Sequence, residues 1–410
     1  MNGTKLYQKL AIVPIVALGL AVAGCNKQAD NGTITPTTTA NTSTTTTTGK
    51  NTTLNYSKNS PLDTSNMFTQ TDLTQTVDTT NAKKITLEDG KDVTIDAAGT
   101  YVITGTAKNS TVIVNASADA EVHLVFDNVS ITNTNKPTVY AVNAKNVYVT
   151  TTQNSTNNLK VTGEFTEDDG NDINAVIFAK TNITLNGLGT LNIDSSANGV
   201  ASNSDLKITG GIYNVNTIKH GFKALNSIRV ADGTFNINAT KDGFHSENED
   251  DLTTGYVYIA GGNFTINSED DGIQGTSITE IDGGTFAINA VEGIEGTYVQ
   301  INDGTIKIYA TDDGINASEK ATNYDVQIEI NGGNLDITMA EGDTDALDAN
   351  GTLTINGGYI NITAQFAFDF DSTASLNVGT VIVNGTQVTS ITNSMMEGGG
   401  GPGGFGGPQH

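Results

Sequence analysis

Acidic residues beside glycine recur through the second half of this 410-residue chain. The strings are Asp242-Gly-Phe-His, Asp270-Asp-Gly-Ile, Val291-Glu-Gly-Ile-Glu, Thr311-Asp-Asp-Gly-Ile-Asn and Asp345-Ala-Leu-Asp. Residues 241–350 hold 23 Asp and Glu against three Lys, a net charge of −20 out of the −25 of the whole chain. Carboxylate and amide oxygens are the ligands that hard cations prefer. The chemistry indicated is therefore cation binding.

A stacked fold would align these residues in two columns. The first column comprises Asp242, Asp271, Glu292, Asp313 and Asp345, and the second, two or three residues further on, comprises His245, Gln274, Glu295, Asn316, Asp348 and Asp369. Equivalent residues of stacked strands lie about 4.8 Å apart. Like charges that close repel by roughly 1 to 4 kcal/mol per pair. We therefore expect bound cations to neutralise the columns.

Calcium is the expected ion, in several copies, because Ca²⁺ accepts irregular coordination by six to eight oxygens more readily than Mg²⁺ does. The candidate ligands are Asp242, Asp270, Asp271, Glu292, Glu295, Asp312, Asp313, Asn316, Asp345, Asp348 and Asp369. The sequence contains neither an EF-hand loop nor a glycine-rich nonapeptide, so the columns alone carry this expectation. The alternative is a solvated acidic stripe kept for solubility.

An internal repeat must position the columns. The turn glycines Gly199, Gly221, Gly243, Gly272, Gly293 and Gly314 are 22, 22, 29, 21 and 21 residues apart. Apolar and polar residues alternate within each unit, as in Phe235/Ile237, which is typical of half-buried strands. The predicted fold is all-β: a right-handed parallel β-helix, a single-stranded solenoid with coils of about 21 residues. Residues 80–175 alternate without clear register and are expected to form irregular first coils and an end cap.

The composition excludes several classes of site and partner. Charged residues make up 16% of the chain, and there are 45 Gly, one Cys and no Trp. One cysteine excludes a disulfide framework and a thiolate-rich zinc site. A net charge of −25 argues against a nucleic acid partner, because the chain repels polyanions. The four histidines, His123, His220, His245 and His410, are too dispersed in the sequence for a zinc triad; His220 and His245 lie near neighbouring coil turns, but we assign them no role.

The N-terminus has the features of a lipoprotein signal. Two lysines precede an apolar stretch at 11–24 that is too short to span a bilayer, and Val-Ala-Gly-Cys25 resembles a lipobox. We expect a signal peptide at 1–25, a disordered Thr-rich linker at 26–78, a β-helix domain at 79–394 and a disordered Gly-rich tail at 395–410. The mature protein is then exported as a monomer and lipid-anchored through Cys25 to the cell membrane, facing the exterior.

The ordered series of acidic strings, ending in Phe368-Asp-Phe-Asp, resembles a known family. It is similar to the bacterial cell-surface carbohydrate-binding parallel β-helix proteins, which bind calcium and are related to the family 9 pectate lyases. The resemblance extends from about Val93 to Met396. It implies several Ca²⁺ ions and binding of acidic pectin-type polysaccharide such as polygalacturonate, or of cellulose. In the lyase relatives an Asp-Asp-Gly-x-Asp segment holds calcium, whereas here Gln274 and Asn316 take the last position.

Three functions stay open at this stage. We favour a non-catalytic module in which calcium bridges the acidic columns to uronate carboxylates. The second is a β-eliminating polysaccharide lyase, which needs Ca²⁺ and a basic side chain beside it, for which Lys223 or Lys307 is available. The third is a structural adhesin in which calcium acts only as a staple.

Overall fold

The computed structural model describes residues 61–166, 173–342 and 344–394, which contain 34 β-strands and one short 3-10 helix, Thr64–Asn66. The strands are β1 (Lys83–Thr86), β2 (Val93–Ile95), β3 (Gly99–Lys108), β4 (Val112–Asn115), β5 (Glu121–Asn133), β6 (Val139–Asn143), β7 (Asn146–Thr151), β8 (Thr156–Val161), β9 (Ala175–Ala179), β10 (Asn182–Gly187), β11 (Thr190–Ser195), β12 (Asn198–Ser202), β13 (Asp205–Ile208), β14 (Ile212–Thr217), β15 (Phe222–Ala224), β16 (Ser227–Val230), β17 (Thr234–Ala239), β18 (Phe244–Ser246), β19 (Tyr256–Ile259), β20 (Asn263–Ser268), β21 (Ile273–Ile281), β22 (Thr285–Ala290), β23 (Ile294–Ile301), β24 (Thr305–Ala310), β25 (Ile315–Ala317), β26 (Gln327–Ile330), β27 (Asn334–Met339), β28 (Asp345–Ala349), β29 (Thr352–Ile355), β30 (Tyr359–Thr363), β31 (Phe366–Phe370), β32 (Ala374–Leu376), β33 (Thr380–Val383) and β34 (Thr386–Val388). All of these residues belong to one compact unit, Asn51–His410.

The strands pair with their equivalents in the next coil and form three parallel stacks. In one coil the chain passes through β16 in the first stack, β17 in the second and β18 in the third. Strand β16 pairs in parallel with β19 of the following coil, β17 with β20 and β18 with β21. Strands β21 and β23 run from the third stack into the first without a break. Among the described strands, only the terminal pair β33–β34 is antiparallel. The predicted parallel β-helix is confirmed.

The first coils are more regular than their sequence indicates. Strands β1, β3, β5 and β7 already pair in parallel, and β3 and β5 also continue into the second stack. A register shift between Thr104 and Gly105 accommodates that passage. The shift explains why the repeat is hard to read before residue 175, because one extra residue breaks the period without breaking the stack.

Alternating residues of the second stack fill the core. In β17, Phe235 and Ile237 are buried while Asn236 and Asn238 face solvent. Successive coils stack their rings, with centroids 4.7 Å apart for Phe235–Phe264 and 4.4 Å apart for Phe264–Phe286. Each such burial is worth roughly 1.5–3 kcal/mol, and the stacking adds about 0.5–1.5 kcal/mol. A one-residue slip in the pairing of two strands would move these rings from the core to the solvent face. The core therefore sets the register of every coil.

The outer face repeats the same register in asparagine ladders. Asn214 Nδ2 donates to Asn192 Oδ1 at 2.7 Å, and Asn236 Nδ2 donates to Asn214 Oδ1 at 2.8 Å. An amide can continue such a ladder because it carries both a donor and an acceptor. These ladders explain the use of asparagine where a surface strand would ordinarily carry charge.

Residues 61–77, which the sequence analysis assigned to the linker, lie against the outer face of the first stack. Phe68 packs on Tyr258 with ring centroids 6.3 Å apart. Asp72 is 1% exposed, its Oδ2 lying 2.8 Å from Lys207 Nζ and its Oδ1 accepting from Thr184 Oγ1 at 2.9 Å. The apolar residues of this segment are few and scattered among polar ones, so the Thr-rich composition concealed this anchor.

Several predicted features fall beyond the described residues. The signal peptide, Cys25, most of the predicted linker and the Gly-rich tail from 395 onward lie outside them. Within the described ranges, no helix has the length and apolar character needed to cross a membrane.

Candidate metal centre

The third stack places the second predicted column in exact register along its strands. Each member pairs with the next from β18 to β31, in the order His245, Gln274, Glu295, Asn316, Asp348 and Asp369. Lys223 of β15 precedes them as the partner of His245. The column forms because β15, β18, β21, β23 and β25 each begin at the residue after a turn glycine, so the repeat carries the same position to the same height in successive coils.

The first column lies at the turns that enter these strands. The amides of Gly243, Gly272, Gly293 and Gly314 donate to the backbone carbonyls of Asp271, Glu292, Asp313 and Asp345 in the next coil, at 3.0, 2.8, 2.9 and 2.9 Å. The coils approach closely there: a Cβ on Gly243 would lie 2.6 Å from the Gly272 carbonyl oxygen. The close approach favours glycine after Asp242, Asp271, Glu292 and Asp313, which explains the recurring Asp-Gly and Glu-Gly pairs, whereas Ala346 takes that position after Asp345.

Three carboxylates converge between these columns. Ligand oxygens of Asp271, Glu292 and Glu295 all lie within 4.8 Å of one another, and Asp271 and Glu295 are 6% and 3% exposed. We call these three residues the oxygen cluster. Gln274 Nε2 donates to Asp271 Oδ2 at 2.8 Å and also to Glu295, while Lys320 Nζ lies 2.8 Å from Glu295 Oε1. One ammonium and two amides, those of Gln274 and Asn316, face three carboxylates, so the protein supplies only one positive charge to the cluster.

The titration of the oxygen cluster reflects this excess. Burial, followed by the charges of Asp242, Glu295 and Glu292, raises the pKa of Asp271 far above its usual range. Burial and then the charge of Glu295 raise the pKa of Glu292 to about 7. Both shifts mean that the ionised form is destabilised among its neighbours, and a bound cation would remove the cause.

A second group of oxygens continues the columns. The Oδ1 atoms of Asn316 and Asp348 are buried without a hydrogen-bond partner, although Asn316 Nδ2 donates to Glu292 Oε2 at 2.9 Å. Burial and then the charge of Asp348 raise the pKa of Asp313 to about 8. Burial and then the charge of Asp369 raise the pKa of Asp348 to about 6. Buried acceptors without donors are what an oxygen-ligated cation site needs.

The remaining predicted ligands are less enclosed. Asp270 joins Asp242 and Asp271, with ligand oxygens within 4.8 Å, but its Oδ2 also lies 2.5 Å from Lys241 Nζ. Asp312 is exposed. Asp369, at the end of the second column, accepts from Asn393 Nδ2 at 2.6 Å. These three would contribute from the rim of the columns.

Two histidines that the sequence analysis left without a role meet at the start of the columns. Asp242 Oδ2 lies 2.5 Å from His245 Nδ1 and 3.3 Å from His220 Nδ1. Burial raises the pKa of Asp242, but the hydrogen bonds of His220 and His245 outweigh it and leave that pKa well below its usual range. A signal for His220 existed in the sequence: it stands immediately before Gly221 as Asp242 stands before Gly243, so it belongs to the first column.

The two lysines considered as bases occupy different places. Lys223 lies in the third stack beside His245. Lys307 lies on β24 in the second stack, where it is exposed and its Nζ is 3.8 Å from Asp336 Oδ2. Only Lys223 therefore shares a stack with the columns.

Two insertions border the site. Residues 247–255 follow β18, and Glu247 Oε2 lies 3.2 Å from His245 Nε2. Residues 318–326 follow β25 and supply Lys320 to the oxygen cluster. Tyr324 Oη donates to the Thr253 carbonyl at 3.5 Å, which joins the insertions across the two coils between them. The insertions give the columns side walls that a plain solenoid face would lack.

The fold is shared with a solved structure. The polysaccharide lyase-like protein from C. thermocellum, solved as a gadolinium derivative, aligns with a TM-score of 0.50 and 28% sequence identity. The alignment covers 55% of this chain and 96% of that protein.

The sequence is also similar to known proteins. A carbohydrate-binding domain-containing protein of Acetivibrio thermocellus is 33% identical over 124 residues, which is 30% of this chain. The chain spans 43% of the length of that relative. The family described as carbohydrate-binding domain-containing protein matches residues 89–340 and 291–396. Because these matches cover most of the described solenoid, the chain belongs to the family of carbohydrate-binding domain-containing proteins.

Proposed function

We propose that this protein binds acidic polysaccharide through Ca²⁺ ions held in the two columns, without cleaving it. The observation that carries the proposal is the oxygen cluster, where three carboxylates of adjacent coils face one ammonium and two amides. Asp271 and Glu295 are buried and Glu292 is half-buried, and a buried charge without a partner ordinarily costs several kcal/mol, so a bound cation would stabilise the ionised cluster.

The donor set suits calcium. All three cluster ligands are carboxylates, and the adjacent group adds the unpartnered oxygens of Asn316 and Asp348. Hard cations select such oxygens, and Ca²⁺ tolerates their irregular arrangement.

Calcium also explains how an acidic protein can hold an acidic sugar chain. A net charge of −25 repels a polyuronate at long range, whereas an ion with open coordination positions can accept a uronate carboxylate beside the protein ligands. Membership of the carbohydrate-binding family supports a glycan as the ligand. Pectin-type polygalacturonate is therefore the first candidate, and cellulose, which lacks carboxylates, is the second.

The lysines near the columns support binding rather than lyase chemistry. Burial lowers the pKa of Lys320, but its hydrogen bond to Glu295 and the charge of Glu295 raise it overall, so the ammonium is a poor base. Lys223 is three strand spacings from Glu295 along the third stack, about 14 Å. A general base must lie within hydrogen-bond reach of the proton it removes.

A lipid anchor at Cys25 would present this binding face at the cell surface.

Calorimetry on the purified chain tests the proposal. We expect the chelator-treated protein to bind Ca²⁺, and to bind oligogalacturonates only when Ca²⁺ is present. Asp271→Asn should weaken both at least tenfold, because it removes a cluster charge. Asp303→Asn is the matched control, since this exposed turn residue makes the same charge change outside the columns.

Each other outcome overturns part of the proposal. Calcium binding without any binding of oligogalacturonate or cellulose would favour the third function, a structural adhesin in which calcium acts only as a staple. Release of unsaturated, ultraviolet-absorbing product would establish the lyase. Absence of calcium binding would contradict the site itself.

A further inference from the structure

We propose that His220, Asp242 and His245 form a transition-metal site of the Zn²⁺ class, separate from the oxygen cluster. The proposal reassigns Asp242, which the sequence analysis placed among the calcium ligands. It does not depend on calcium or polysaccharide binding, because none of its three ligands belongs to the oxygen cluster.

The three ligand atoms lie close together, and the bond that His220 Nδ1 accepts from Asp242 N at 3.3 Å would give way to the ion. Asp242 Oδ2 lies 3.3 Å from His220 Nδ1 and 2.5 Å from His245 Nδ1, and all three atoms lie within 4.8 Å of one another. In a tetrahedral zinc site with bonds of 2.0–2.1 Å, neighbouring ligand atoms are about 3.3 Å apart. The pair with His220 has that separation. The pair with His245 is shorter because it is hydrogen-bonded, and it needs to open by less than about 1 Å.

The fold holds these side chains in place. His220 and Asp242 occupy the same position of consecutive coils, fixed by the bonds from Gly199 N to His220 O at 3.0 Å and from Gly221 N to Asp242 O at 2.9 Å. The imidazoles of His220 and His245 stack with centroids 4.3 Å apart and planes 24° from parallel. Side-chain exposure is 14% for His220, 3% for Asp242 and 9% for His245. Little conformational entropy is therefore left to lose when an ion binds.

A carboxylate supports the far side of one imidazole. His245 Nε2 lies 3.2 Å from Glu247 Oε2. Histidines that bind metals commonly donate their second N–H to a carboxylate, which holds the proton on that nitrogen and leaves the other for the ion. Glu247 thus assigns Nδ1 of His245 to the metal. The ion replaces the proton between Nδ1 and Asp242, and that proton is released to solvent.

The ligand chemistry separates this site from calcium. Imidazole nitrogens suit Zn²⁺, Ni²⁺ and Cu²⁺, whereas Ca²⁺ takes oxygens. Asp270 and Asp271, whose oxygens lie within 4.8 Å of that of Asp242, add negative charge nearby. Lys223 in register with His245 and Lys241 beside Asp270 oppose it. Three protein ligands leave a fourth position for water or an external ligand.

Metal titration of the full chain in saturating Ca²⁺ tests the site, since calcium then occupies the oxygen ligands. We expect one equivalent of Zn²⁺ to bind with release of protons, and Co²⁺ in its place to give the intense visible absorption of a four-coordinate ion. His220→Asn and His245→Gln should each weaken Zn²⁺ binding more than tenfold. His123→Asn is the matched control, because His123 lies in the first stack against Tyr148.

Glu247→Gln provides a second measurement that does not touch a ligand. It should weaken Zn²⁺ binding about tenfold, in line with the loss of an outer carboxylate, while leaving calcium affinity unchanged. Zinc binding that is absent in saturating Ca²⁺, or that is equal in wild type and the two histidine variants, would overturn the proposal and leave a histidine–aspartate ion pair. Neither result bears on the oxygen cluster, whose test is the calcium titration alone.

Discussion

The side chain of Glu292 illustrates how one residue can act in opposite senses with and without a cation. It accepts from Asn316 Nδ2 at 2.9 Å, but it also faces Asp271 and Glu295 across the oxygen cluster. Its pKa is raised to about 7, first by burial and then by the charge of Glu295. At alkaline pH its ionised form therefore strains the metal-free fold, whereas a bound cation would use the same charge as a ligand.

Glu292→Gln should raise the melting temperature at pH 8 in chelator and lower it in millimolar Ca²⁺. The amide keeps an acceptor for Asn316 and removes one like charge, which is worth about 1 to 4 kcal/mol without an ion. Each kcal/mol corresponds to roughly 2–4 °C in a domain of this size class. Thermal unfolding by circular dichroism measures it. If the variant melts below wild type in both buffers, the Glu292 carboxylate is not repelled by its neighbours in the metal-free protein, which contradicts the repulsion proposed for the oxygen cluster.

At the scale of the elements, the turn glycines decide how closely the columns stack. A Cβ on Gly272 would lie 2.5 Å from the Gly293 carbonyl oxygen and 2.5 Å from Ile288 Cγ2. The neighbouring strands cannot yield independently, because β21 continues from the third stack into the first. Asp271 immediately precedes this glycine, so any widening between coils also moves a cluster ligand.

Gly272→Ala should lower the free energy of unfolding by about 1–3 kcal/mol, as overpacking does, and should weaken calcium binding as well. The control is Gly261→Ala, where the added Cβ would meet nothing closer than 3.4 Å and which lies in a turn away from the columns. That variant should stay within about 0.5 kcal/mol of wild type. Urea denaturation measures the free energy of unfolding, and its increase on addition of Ca²⁺ measures the effect on calcium binding. Equal stability of the two alanine variants would mean that the coils are not in close contact at residue 272.

Across the whole molecule, charge repulsion within the acidic columns opposes the stabilisation that the apolar core provides. The stacked rings and aliphatic residues hold successive coils at strand spacing, and that spacing brings like charges together. The pKa values of Glu292, Asp313 and Asp348 are raised to about 7, 8 and 6, in each case by burial first. In the unfolded chain such groups titrate near about 4. At pH values between about 4 and these raised pKa values, the folded protein binds more protons than the unfolded one.

The metal-free protein should therefore lose stability as pH rises from about 4 to 8, because the free energy of unfolding falls wherever the folded state binds the extra protons. His245, whose pKa is raised by its carboxylate partners against the effect of burial, acts in the same direction. Saturating Ca²⁺ should remove most of the decline above pH 6. Melting temperatures across this range at constant ionic strength test it. A stability that rises with pH in chelator would show that the columns are not repulsive.

The amino-acid sequence by itself determined the solenoid and the register of both columns. Glycines 21 to 29 residues apart and alternating apolar residues suffice, because a parallel stack repeats a local pattern and needs no distant partner to define it. The pairing of Glu295 with Asn316 follows from that period alone, whereas the pairing of Asn316 with Asp348 spans an insertion and was predicted from the recurring acidic string.

Only the tertiary structure decided which side chains meet across the columns and what encloses them. The convergence of His220 and His245 on Asp242 and the reach of Lys320 to Glu295 depend on rotamers and on an insertion outside the repeat. The attachment of residues 61–77 depends on a surface that exists only once the coils are stacked. Periodicity specifies position along the stack, whereas contact between side chains depends on three-dimensional approach.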